Sequence, residues 1–144
     1  MYIDSELEFD DNDAHLSSGA STDYVDTLAA GDAISPGAKV VAKVSTAYVD
    51  AGGGTIVATL QTSADSAFGS YTTLLTGPTV TIAGSSVADP AVGVGGIGTT
   101  LLDAVIPPGV LRYLRVYYTM TAMDAGSTDA RIVLDSDKLL DKGL

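Results

Sequence analysis

The chain has 144 residues, with 18 Asp+Glu against 7 Lys+Arg for a formal net charge of −11, 46% apolar residues, one histidine, no cysteine and no tryptophan. A chain of this length is expected to form one domain, 1–144, large enough to bury a core without covalent staples. The composition excludes a disulfide framework, a thiolate metal site and a cysteine nucleophile, and the charge argues against nucleic acid, whose backbone is bound through clustered Lys and Arg.

Taken in chain order, the predicted elements are strands. The acidic segment 1–32 holds nine of the 18 acids and no Lys or Arg. It offers extended pieces over 1–9 and 22–28, joined by a polar stretch. Within that stretch Asp10-Asp11-Asn12-Asp13 reads as a turn, because Asp and Asn favour turns. Its oxygens suit calcium, but it lacks the alternation and closing Glu of an EF-hand loop. His15 sits in the same polar segment and is expected in solvent. Its opening residues are acidic where a secretory signal is basic and then apolar, so no signal is predicted.

Pro36-Gly37 is a turn. Over 39–49, Val40, Ala42, Val44, Thr46 and Tyr48 share one face and Lys39, Val41, Lys43 and Ser45 the other, the period of a half-buried strand. Gly52-Gly53-Gly54 ends it. Residues 55–62 form the next strand, with Ile56, Ala58 and Leu60 on one side, followed by a loop over 63–69. Strands over 71–75 and 79–83 are divided by Gly77-Pro78. Residues 84–99 are a long Gly-rich loop, and loops of that length often carry function. A strand over 100–106 stops at Pro107-Pro108-Gly109. The longest regular strand is 110–122. Ala125 to Ser127 turn the chain, and 130–135 close the sheet ahead of a short mixed tail. This succession of about eight strands argues an all-β, jelly-roll-like sandwich of antiparallel strands.

The chemistry-bearing motifs are few. Gly93-Val94-Gly95-Gly96-Ile97-Gly98 matches GxGxxG, but the dinucleotide fingerprint needs a following helix and here a strand follows. His15 would have to carry any triad or His-based metal site without a placed partner, and there is no GxSxG elbow. The expectation is a non-enzyme with no cofactor and no metal. The longest charge-free run, 66–88, is rich in Ser, Thr and Gly, so no membrane span is expected.

Arg112 to Met120 is the most informative stretch. In a strand, Leu114, Val116, Tyr118 and Met120 point inward, while Tyr113, Arg115, Tyr117 and Thr119 point outward. Tyr and Arg are enriched at interface hot spots. The bland alternative is a cross-strand ladder that only stabilises the sheet.

Three stretches together resemble one family. The first is Met1-Tyr-Ile-Asp-Ser-Glu-Leu-Glu-Phe-Asp-Asp-Asn-Asp-Ala14 with Ser21-Thr-Asp-Tyr-Val-Asp-Thr-Leu28. The second is Leu60-Gln-Thr-Ser-Ala-Asp65 before a Phe-containing loop. The third is Ile106-Pro-Pro-Gly109 with Arg112-Tyr-Leu-Arg-Val-Tyr-Tyr-Thr119 and Ala130-Arg-Ile-Val-Leu-Asp135. In this order they resemble the jelly-roll capsid cement (decoration) proteins of tailed bacteriophages, typified by that of a Bordetella phage. The resemblance implies a structural virion protein, made in the host cytoplasm, that sits on the outer surface of an HK97-type capsid. It would bridge major capsid subunits and brace the expanded head, as a homodimer or other small symmetric oligomer. Two surfaces are candidates for this role. One is the acidic arm, with Asp4, Glu6, Glu8 and Asp10 against basic capsid patches. The other is the Tyr113/Arg115/Tyr117 face, for self-association. A tail or head-fibre module and a carbohydrate-binding sandwich are the alternative readings.

Overall fold

The computed structural model describes residues 7–28, 37–49, 53–82 and 98–133. Among them are ten strands: β1 (Glu8–Asp13), β2 (Gly19–Ala20), β3 (Val25–Asp26), β4 (Lys39–Val49), β5 (Gly54–Ser63), β6 (Thr72–Thr76), β7 (Val80–Ile82), β8 (Thr100–Val105), β9 (Tyr113–Met120) and β10 (Ala125–Val133). Asp4, Glu6, most of the Gly-rich 84–99 loop with all of its GxGxxG motif but Gly98, and the tail lie outside the described residues.

One sheet runs β1-β10-β4-β8. In the other, β9 and β5 are central; β2 and β3 both pair with β9, and β6 and β7 both pair with β5. Every pairing is antiparallel. Counting β2 with β3 and β6 with β7 as interrupted strands gives eight. The first sheet then orders them first, eighth, third, sixth, and the second sheet second, seventh, fourth, fifth. That is the jelly-roll order, in which successive strands alternate between the sheets except at the hairpin joining the fourth to the fifth.

The alternation written into the sequence builds the core. From β4 come Val40, Ala42 and Val44; from β5 Ile56, Ala58 and Leu60; from β9 Leu114, Val116 and Tyr118, all buried. Phe9, Leu101, Ala130 and Ile132 complete the contact between sheets. Each large apolar side chain removed from water contributes about 1.5–3 kcal/mol. One departure lies in β4. The β10 pairing slips between Ser127↔Thr46 and Thr128↔Val44, so Thr46 is exposed rather than in line with Val44, while Tyr48 returns to the interior. A bulge inserts one residue and shifts the alternation past it, and a second irregularity, between Ser127↔Thr46 and Ala125↔Val49, restores it for Tyr48.

The open sides of the sandwich are managed locally. Gly77, between β6 and β7, donates its N–H to the Ala58 carbonyl and lies so close to the Leu101 carbonyl on β8 that a Cβ would overlap it. At the other edge, the run Asp10 to Asp13 is a strand, not a turn. It pairs with β10 through two register irregularities, and Asn12 has a φ of 56°. An acidic, bulged edge is a poor template for further pairing. Ala125 to Ser127 also belong to a strand, paired with β4. Gly126 makes this possible: its φ is 143° and a Cβ there would fall within the Tyr48 ring.

Candidate functional site

Two clusters of polar side chains flank β9, one inside the sandwich and one on its outer face. The inner cluster centres on Asp10, whose side chain is fully buried. Asp10 Oδ1 accepts from His15 Nε2 at 2.9 Å and from the Thr22 N–H at 2.8 Å, and Oδ2 accepts from the Tyr118 hydroxyl at 2.7 Å. Asp10 was expected on an exposed acidic arm; three donors and the bulged strand turn it inward instead. His15 is not solvated either. Its side chain is only 10% exposed and its ring lies 4.7 Å from that of Tyr118. The cluster therefore straps the segment after β1 across the end of the sandwich. Glu8 is half-buried at the edge.

Burial, and secondly the negative charge of Asp10, pushes the phenol of Tyr118 well above its ordinary range. The same two causes push up Tyr48, whose buried hydroxyl has no hydrogen-bond partner among the described residues. These groups hold protons in place. They are enclosed, and their geometry is that of a structural lock.

The outer cluster is built by β9, β5, β3 and the loop after β5. Tyr113, Arg115 and Tyr117 project outward, as their alternation with Leu114, Val116 and Tyr118 predicts. Register places Gln61 opposite Arg115 and Ser63 opposite Tyr113. Arg115 Nε donates to Gln61 Oε1 at 2.8 Å. The guanidinium carbon lies 4.4 Å from the Phe68 ring centroid and 5.3 Å from those of Tyr71 and Tyr117. Cation–π contacts of this kind contribute about 0.5–1 kcal/mol each at exposed sites.

Phe68 reaches this position through an unusual backbone. Its φ is 53°, a left-handed conformation that costs a bulky residue about 1–3 kcal/mol and persists only where surroundings impose it. Here they do. The Phe68 N–H bonds to the Asp65 carbonyl at 3.0 Å, and the Ala67 N–H to Asp65 Oδ1 at 3.1 Å. Ser63 Oγ accepts from the Asp65 N–H at 3.0 Å and donates to the Ser70 carbonyl at 2.7 Å.

Tyr24 closes the other side, with its ring 5.5 Å from Tyr113 and 6.4 Å from Phe68. Below it Arg112 grips Asp26 with two bonds, Nε to Oδ1 at 2.8 Å and Nη2 to Oδ2 at 3.0 Å. The hydrogen bond from Arg112 holds the Asp26 carboxyl below its ordinary range. Tyr24 and Tyr71 remain about half exposed, at 49% and 53%.

Of the residues singled out from sequence, Tyr113, Arg115 and Tyr117 come together here, while Glu8 and Asp10 belong to the far edge. Gln61, Phe68, Tyr71 and Tyr24 were missed as members. Only their aromatic or amide character amid Ser, Thr and Asp marked them, and they converge from separate strands and a loop.

No family model matches the chain, and no curated protein matches it.

Proposed function

We propose that the protein is a capsid cement protein of a tailed phage. It binds the outer surface of an HK97-type head and stabilises the expanded shell by bridging major capsid subunits. The observation that carries this reading is a convergence. The three stretches on which the family resemblance rests are far apart in sequence, yet all contribute to one outer face. The first supplies Tyr24 and Asp26, the second Gln61 and the loop of Phe68, and the third Arg112, Tyr113, Arg115 and Tyr117. Aromatic and arginine side chains held rigid by their neighbours are the composition of an interface hot spot.

A clamp on this reading needs no chemistry. It favours the expanded shell only by the difference between its affinities for expanded and unexpanded lattices. A symmetric oligomer bridging subunits gains further from effective concentration, so each contact can be weak. The test is co-sedimentation with expanded, undecorated heads beside procapsids. Saturable binding to expanded heads alone is expected. Absence of binding to both removes the proposal.

The exposure of Tyr24 and Tyr71 favours one second reading, a carbohydrate-binding sandwich whose tyrosines stack on sugar rings. Binding on a glycan array, lost in Tyr71→Ala and Tyr24→Ala, would support that reading in place of the first.

A further inference from the structure

Arg115 carries five N–H donors on a planar fork, and among the described residues only the Nε–H finds an acceptor. Among the described residues no carboxylate lies within 4.0 Å of its guanidinium, although Arg112, three residues away, is gripped along its Nε/Nη2 edge by Asp26. This is an unusual state in a chain with 18 acids and 7 bases. The guanidinium is also held in place. Gln61, itself 5% exposed, fixes the Nε edge, and Phe68, 6% exposed and held in a left-handed conformation, supports one flank. Tyr71 and Tyr117 stand as further walls.

We infer that Arg115 is the anchor of a carboxylate-binding cup, and that its occupant is an acidic segment of a partner protein: one Asp or Glu side chain flanked by apolar residues. The inference rests on the adhesive reading of this face for the partner being a protein.

A carboxylate matches the free edge of the guanidinium with two parallel charge-assisted hydrogen bonds. The aromatic walls exclude water from those bonds and offer flat apolar surface to the residues on either side. The charge of the whole chain narrows the choice. A net charge of −11 opposes polyanions such as DNA, because their many charges meet that repulsion together. A single carboxylate experiences mainly the local guanidinium, since exposed charges beyond roughly 8–10 Å are screened at physiological salt. Lysine would substitute only in part: an ammonium keeps the charge but lacks the planar fork and the stacking.

The experiment has two arms. In the first, acetyl-Ala-Glu-Phe-amide is titrated into the whole protein, with acetyl-Ala-Gln-Phe-amide as control, and the Arg115 Nε–H and Gln61 side-chain amide signals are followed by NMR. Both signals should shift and saturate with the Glu peptide, and the Gln peptide should bind at least tenfold more weakly. Arg115→Gln should lose at least tenfold in Glu-peptide affinity, and Arg115→Lys a smaller part of it. Equal binding of the two peptides overturns the cup. An identical response to sodium acetate or phosphate at the same concentrations leaves a simple anion site and overturns the peptide occupant, as does tighter binding of glucuronic acid.

In the second arm, Arg115→Gln is offered to expanded heads. If wild type decorates them and Arg115→Gln does so equally well, the cup is overturned and the cement reading stands. If wild type fails to decorate, the cement reading falls, and the peptide arm alone decides the cup.

Discussion

The buried carboxylate of Asp10 gives the sharpest test of how the N-terminal strap is held. Tyr118→Phe removes one of its three donors while the ring continues to fill the core. A hydrogen bond to a charged group is worth about 1.5–3 kcal/mol, so that is the expected loss. The carboxylate keeps His15 Nε2 and the Thr22 N–H. Asp10→Ala removes both acceptor oxygens, and with them all three bonds, and takes from the buried Tyr118 hydroxyl its 2.7 Å carboxylate partner. The expected cost is about 3–5 kcal/mol, the range for breaking a buried charged network from one side. For domains near this size each kcal/mol moves the melting temperature by about 2–4 °C. Urea unfolding should therefore rank wild type above Tyr118→Phe above Asp10→Ala, with an unchanged m value. Amide exchange at Thr22 supplies an independent reading, protected in Tyr118→Phe and lost in Asp10→Ala. An Asp10→Ala variant as stable as Tyr118→Phe would refute the lock, because its three bonds would then hold nothing together.

Three further outcomes follow from the same geometry. Gly126→Ala should destabilise by about 2–4 kcal/mol in chemical unfolding, since its φ of 143° is strained for any side chain and a Cβ would enter the Tyr48 ring; a loss below 1 kcal/mol would mean that the ring moves aside freely. Tyr48 and Tyr118 both have raised values in the folded protein, so their contribution is full below the unfolded tyrosine range near pH 10 and declines above it. The expected slope is about 1.4 kcal/mol per pH unit for each tyrosine, read from urea midpoints above pH 10; Tyr48→Phe should halve it and, by removing a buried hydroxyl that has no partner among the described residues, leave neutral-pH stability unchanged or raised by about 1 kcal/mol. The Asp26 carboxyl is lowered by its bond to Arg112, so that pair's contribution is present at neutral pH and fades as pH falls through the lowered midpoint; Arg112→Ala should move the midpoint back up, as followed by carboxyl NMR, and an unmoved midpoint would place the cause elsewhere.

Much of the fold was legible wherever one physical effect dominated. Along β9 and the first half of β4, burial on one face enforces strict alternation, and the inward residues follow directly. Legibility failed where that alternation is interrupted or outvoted. Asp10 to Asp13 read as a turn because local propensity favours it, yet pairing with β10 and the hydrogen bonds to Asp10 override propensity. Gly126 read as a turn glycine, while its actual role is to let β10 pass over Tyr48. The position of Thr46 depends on a bulge, which no period reveals. The outer face was half legible: Tyr113, Arg115 and Tyr117 follow from period two, but Phe68 joins them through an imposed backbone conformation that leaves no mark in the sequence pattern.

The inner lock and the outer face are not independent, because β9 and the strap belong to both. The Thr22 N–H is bonded to Asp10, and Tyr24 and Asp26 follow within four residues on the same extended segment. That segment is further stitched to β9 by Val25↔Leu114 and Asp26↔Tyr113. Tyr24 borders the face because this segment is held on both sides, by the buried carboxylate and the backbone bonds of Ser21 and Asp23 on one and by the grip of Arg112 on Asp26 on the other. Loosening Asp10 therefore removes one restraint on that side of the face without touching it, whereas Phe68, Gln61 and Arg115 stay held by β5, β9 and their own loop. The rigidity of the outer aromatic wall is thus set in part by a carboxylate that solvent never reaches.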